Sequence, residues 1–122
     1  MSVEAYGQEL ILDLHECGKA TMEVDIQDFC EELAGLVDMQ AEDFHIWASE
    51  PDEEKDPRTF GISAIQFIVT SDIRVHVLPL LQGGTVYLNL FSCKPFDADI
   101  ATKFIEGWFQ AKECRRQIVE RI

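Results

Sequence analysis

With 122 residues the chain can bury one two-layer core but has no room for a second catalytic domain, so a single domain over residues 1–122 is expected. A hydrophobic fraction of 47%, with eight Phe, two Tyr and two Trp, excludes a disordered acidic tail. A formal net charge of −13 argues against a nucleic-acid partner, since phosphate binding depends on a basic surface. It favours a cationic small molecule, an amine or a sulfonium, although from charge alone a solvated acidic face that aids solubility is the simpler account.

Cys17, Cys30, Cys93 and Cys114 form no CxxC pair, which argues against a zinc ribbon or a disulfide scaffold and for reduced thiols. His15 and Cys17 are too few to complete a metal site. No apolar run approaches the ~20 residues of a membrane span. MSVEAYGQE has neither the basic nor the apolar region of a signal peptide, so a cytoplasmic location is expected.

Leu10, Leu12 and Leu14 alternate with Ile11, Asp13 and His15, a period of two that predicts a strand ending near Gly18. Asp25 then stands as an N-cap before Ile26, Phe29, Cys30, Leu33, Leu36 and Val37, which are spaced as one face of a helix. Phe44 to Ala48 reads as a second strand, and Ser49 to Thr59 as a charged loop with two prolines. Gly61–Thr70 and Ile73–Leu78 read as strands joined by a Ser71-Asp72 turn, and Thr85–Cys93 as another after Gln82-Gly83-Gly84. Asp97 or Asp99 caps a helix with Ile100, Phe104, Trp108 and Ala111 on one stripe, and Cys114–Ile122 reads as a last strand. The order β-α-β-β-β-β-α-β predicts an α+β fold: a two-layer sandwich whose mainly antiparallel sheet carries both helices on one face.

Alternation then sorts the polar residues. Arg74 and His76 point away from Val75 and Val77, and Tyr87, Asn89, Phe91 and Cys93 point away from Val86, Leu88 and Leu90. If the Val and Leu face packs under the helices, His76 and Cys93 lie on the opposite face and line one pocket, given neighbouring strands in suitable register. Taken singly, each residue also has an ordinary role. Ser71-Asp72 suits a turn, Cys93 a small buried position, and His76 a hydrogen-bonded place in a strand.

Tyr6–Gly18 (YGQELILDLHECG), Phe44–Trp47 (FHIW), Gly61–Ser63 (GIS), the Ser71-x4-His76 interval, Phe91–Cys93 (FSC) and a helix ending in AKE occur in this order. In that order and spacing the chain resembles, over most of its length, the small prokaryotic S-adenosylmethionine decarboxylases. The resemblance implies a homodimer or higher homo-oligomer that makes its own pyruvoyl cofactor. Ser71 would attack the carbonyl of Thr70, turn the peptide into an ester and eliminate, leaving the pyruvoyl group at a new N-terminus. Ser63 and His76 would assist this processing, and Cys93 would return a proton after decarboxylation. The pyruvoyl carbonyl would form a Schiff base with the substrate amine and act as the electron sink. The product would supply aminopropyl groups for polyamine (spermidine) synthesis.

The chain departs from the family pattern at Thr70, where Glu usually precedes the processed serine, and at Asp72, where His commonly follows. Val77-Leu78-Pro79-Leu80 replaces Thr-Trp-Pro-Glu, in a loop two residues longer that contains Gly83-Gly84. Leu80 neither accepts a hydrogen bond nor balances a cation, which bears on recognition of S-adenosylmethionine. Two other readings stand beside the first: the same chemistry on arginine or ornithine, and a non-catalytic relative that stays one chain and binds a ligand or partner.

Overall fold

The computed structural model describes residues 5–122; residues 1–4, part of the stretch read for a signal peptide, lie outside the described residues. The elements are β1 (Gly7–His15), α1 (Ile26–Leu36), β2 (Ala41–Ala48), β3 (Ile62–Ile68), β4 (Ser71–Leu78), β5 (Thr85–Ser92), α2 (Ala98–Phe109) and β6 (Glu113–Arg121). All six strands join one antiparallel sheet in the order β2-β3-β4-β5-β1-β6. The α+β architecture expected from the element order is therefore present. No helix among the described residues is long and apolar enough to cross a membrane.

The alternation fixes which face is covered. Leu10, Leu12 and Leu14 of β1, Ile73, Val75 and Val77 of β4, and Val86, Leu88 and Leu90 of β5 are fully buried on the helix side. Asp25 caps α1 through Oδ1, which accepts the Asp28 N–H at 2.9 Å, and Asp97 rather than Asp99 caps α2 by accepting from Asp99 and Ile100. In α1 the buried stripe is Ile26, Phe29, Cys30, Leu33 and Ala34, with Leu36 turned outward.

The stripe expected on α2 is displaced. Ala98, Ala101, Thr102, Ile105 and Phe109 face the sheet, Ile100 is half exposed, and Phe104 and Trp108 lie beside the stripe against α1. Small residues let the helix sit close to the sheet, while the large rings fill the gap between the two helices. Phe29 is their meeting point, with ring centroids 5.8 Å from Phe104, 5.5 Å from Trp108 and 4.9 Å from Phe109. Phe29→Ala is expected to lower the unfolding free energy by about 3–5 kcal/mol, measured by urea titration.

Two local features position the polar residues of the β2–β3–β4 half of the sheet. A bulge in β2 between Ala41 and Phe44 turns backbone carbonyls inward, and the fully buried Gln66 amide donates to Glu42 O at 2.8 Å and Asp43 O at 3.2 Å. The β3–β4 hairpin turns at Val69-Thr70, not at Ser71-Asp72: Ile68 pairs with Ser71, and Ser71 and Asp72 belong to β4. Ser71 and Asp72 carry the residue types of a turn, yet their pairing in the ladder overrides that preference.

Candidate active site

Ser71 opens β4 directly after the Val69-Thr70 turn and is buried at the rim of the sheet. Its Oγ accepts the backbone N–H of Cys93 at 2.8 Å, and the Cys93 thiol donates to Val69 O at 3.7 Å. Ser71, Thr70 and Cys93 thus share one end of the molecule, where Met39, Val69, Cys93 and Lys94 border a hollow of about 220 Å³. The Ser71 hydroxyl, and after it that of Thr70, holds the Cys93 thiol below its ordinary value by bonding to the thiolate. Burial pushes the other thiols the opposite way, Cys17 to about 11 and Cys30 to about 12, and Cys114 is raised as well. Cys93 is therefore the cysteine suited to exchange a proton.

Ser63 and His76 are direct cross-strand partners on the face away from the helices. Ser63 Oγ and His76 Nδ1 are 2.8 Å apart, the donor being set by the imidazole tautomer. Gly61 makes the approach of β3 possible, since a Cβ there would run into the Val77 carbonyl oxygen. Trp47 lies across from Ser63 in β2, and with His45, Ile65 and Arg74 it lines a depression of about 290 Å³ around the pair.

The sequence expectation that His76 and Cys93 line one pocket is not met within one chain. His76 lies five positions along β4 from Ser71, about 16 Å at ~3.3 Å per residue. The four residues instead form two pairs, Ser71 with Cys93 and Ser63 with His76, at opposite ends of the hairpin.

Between the pairs lies a polar cluster that sequence reasoning passed over. Glu9, only 8% exposed, accepts from Asn89 at 3.0 Å and from Arg74 at 3.4 Å through Oε2, and from Arg121 at 2.6 Å through Oε1. Asp72 lies beside Arg74 at 3.6 Å. Its carboxyl is pushed up mainly by burial, which Arg74 opposes and Glu9 reinforces. The available signal was a run of polar residues on alternate positions of β1, β4 and β5. Which of them meet depends on β1 lying between β5 and β6, which alternation does not reveal.

The loop between β4 and β5 is held against the β1–α1 connection: Gln82 O and Gly84 O accept from Glu16 N and Cys17 N at 3.2 and 2.9 Å. Gly84 has φ 99° and lies against Cys17 O, so a side chain is excluded there. Leu80 is exposed in this loop, at the end of β4 that carries His76. The acidic loop from Glu50 to Asp56 leaves β2 at the same end, its base closed by Ser49 N–H to Gly61 O at 2.9 Å. Among the described residues no group of three or more His, Cys, Asp or Glu side chains is placed to hold a metal ion.

No curated protein sequence matches the chain. Among solved structures, the adenosylmethionine decarboxylase from Aquifex aeolicus VF5 superposes with a TM-score of 0.76 at 16% identity, covering 98% of this chain and 92% of that one. That likeness establishes the fold. The sequence model of the family described as S-adenosylmethionine decarboxylase matches residues 8–122, nearly the whole chain, and the chain belongs to that family.

Proposed function

We propose that the protein is a self-processing, pyruvoyl-dependent decarboxylase that acts as a homodimer on S-adenosylmethionine, serving polyamine (spermidine) synthesis. The observation that carries this reading is the Ser71 Oγ to Cys93 N–H bond of 2.8 Å, which sets a hydroxyl and a proton-donating thiol together at a hairpin end. In processing, Ser71 Oγ bonds to the Thr70 carbonyl carbon as the C–N bond breaks, and the freed nitrogen takes the hydroxyl proton. Loss of the Ser71 Cα proton then expels the Thr70 carboxylate, and water releases the nitrogen as ammonia. A break here falls between paired strands, so both pieces stay in one sheet.

These surroundings fit a group formed from Ser71 in place, since it needs no further ligand and has the Cys93 thiol beside it. Once formed, the pyruvoyl carbonyl supplies an electron sink for decarboxylation. Cys93 holds the proton to be returned to the product. Arg74 and Asn89 fix Glu9, which keeps the floor of the open sheet face rigid.

The separation of the two pairs supports a second copy in the working unit. A two-fold axis between facing sheets and across the strands brings the Ser71 end of one hairpin over the His76 end of the other. It also covers the open face, on which Tyr6, Trp47 and Phe67 are 51%, 57% and 45% exposed. Ser63 and His76 of one subunit then serve Ser71 and Cys93 of its partner, with His76 Nε2 free to take and return the processing proton.

For the substrate, the net charge of −13 and the acidic loop at the His76 end favour a cation. Leu80 lacks the charged contact of the family pattern. Its absence costs about 1.5–3 kcal/mol, roughly tenfold to a hundredfold in affinity. Carbon dioxide release is to be measured with S-adenosylmethionine, arginine, ornithine and lysine side by side. Release from S-adenosylmethionine with a high KM, lowered about tenfold in Leu80→Glu, is the expected result. Release from a basic amino acid alone would reassign the substrate, and a chain that stays uncleaved and silent would mark a non-catalytic relative.

A further inference from the structure

Thr70 is held in a backbone conformation that its own side chain opposes. Five non-glycine residues among those described have positive φ: Glu16, Asp38, Thr70, Gln82 and Gln110. Asp38 and Gln110 end helices and Gln82 precedes a Gly-Gly pair, places where a left-handed residue is usual. Thr70, at φ 52°, alone branches at Cβ, and for a branched residue this region is an outlier.

The hairpin adds a second misfit. Two-residue connections that follow the strand twist put positive φ at the first residue or at both, and use Gly, Asn or Asp. Here the pair is Val69-Thr70, and of the two only Thr70 has positive φ. The turn is nevertheless pinned. Thr70 Oγ1 donates to Val69 O at 2.8 Å, the Cys93 thiol donates to the same carbonyl, and Cys93 N–H holds Ser71 Oγ. The strained residue is the one whose carbonyl carbon Ser71 attacks in self-processing.

We infer that Thr70 is a positioning residue whose strained backbone raises the free energy of the intact Thr70–Ser71 peptide and so speeds its cleavage. This rests on the self-processing reading. Transfer of the acyl group from nitrogen to oxygen replaces the link C–N–Cα by C–Oγ–Cβ–Cα, one bond longer. The closed two-residue turn gains slack as that bond forms, and strain released on the way to the ester lowers the barrier. Because the strain destabilises the intact chain, Thr70 is expected to affect stability and cleavage in opposite senses, whereas a merely structural residue affects both in the same sense.

The full chain is produced uncleaved by cell-free synthesis, and its division is followed by intact mass for wild type, Thr70→Asn, Thr70→Gly and Thr70→Val. Asn and Gly accept positive φ, and Val keeps the branch while losing the hydroxyl. Stability is measured by urea titration in the uncleavable Ser71→Ala background. Thr70→Asn and Thr70→Gly are expected to cleave about tenfold more slowly, equivalent to ~1.4 kcal/mol in the barrier, with a raised urea midpoint. Thr70→Val is expected to cleave faster than either. Unchanged cleavage in Asn and Gly, slowing accompanied by a lowered midpoint, or Thr70→Val as the slowest variant would each overturn the inference. A wild-type chain that never divides would overturn the self-processing reading itself.

Discussion

Mixing two inactive chains is expected to restore cleavage. On the proposed mechanism Ser71→Ala lacks the attacking hydroxyl and His76→Ala the imidazole that accepts its proton, so each chain alone is expected to stay undivided. In the proposed shared-site dimer the Ser71 of the His76→Ala chain would face the intact Ser63–His76 pair of its partner. The other site has lost both groups. Only the His76→Ala chain should divide, in an all-or-none contrast with either homodimer. Co-expression with tags of different length, followed by denaturing electrophoresis, identifies which chain is cut. The geometric basis is the ~16 Å between Ser71 and His76 along β4, far beyond the reach of a proton transfer within one chain. Cleavage of His76→Ala alone, or none in the mixture, would refute the shared site.

The second large effect concerns Cys93. Cys93→Ala is expected to divide at Ser71 yet to lose turnover by roughly 10²–10⁴-fold, the usual contribution of a positioned proton donor. The thiol must carry its proton to serve. In the uncut chain it is held low chiefly by the Ser71 hydroxyl, which bonds to the thiolate and favours it, and next by Thr70. Processing as proposed would consume the Ser71 hydroxyl, removing the larger lowering influence, so the thiol pKa is expected to rise. The pH midpoint of Cys93 alkylation is therefore expected to be lower in uncut His76→Ala than in processed wild type. Equal midpoints, or the reverse order, would contradict this.

Much of the fold was legible because the strands announce their faces. Leu10-Leu12-Leu14, Val75-Val77 and Val86-Leu88-Leu90 are buried as the alternation requires, and Asp25 and Asp97 cap their helices. The α2 stripe was misplaced because Phe104 and Trp108 are large but serve the contact between helices, while Ala98 and Ala101 take the tighter contact with the sheet. The hairpin turn was misplaced by two residues because Val69-Thr70 carries no turn chemistry, whereas Ser71-Asp72 does.

At the site, order and spacing singled out Ser63, Ser71, His76 and Cys93, and register shows that they form two separate pairs. Alternation assigns a face but not a position along the strand, so a single shared pocket was the natural expectation. The Glu9 cluster was hidden for a related reason, since its members come from four strands brought together by the insertion of β1 between β5 and β6.

The most direct test of self-processing is the intact mass of the purified wild-type protein under denaturing conditions. The expected result is two chains, residues 1–70 ending in a free carboxylate and residues 71–122 with a blocked N-terminus, the latter lighter than its sequence by one ammonia. A single full-length chain after prolonged incubation would contradict it.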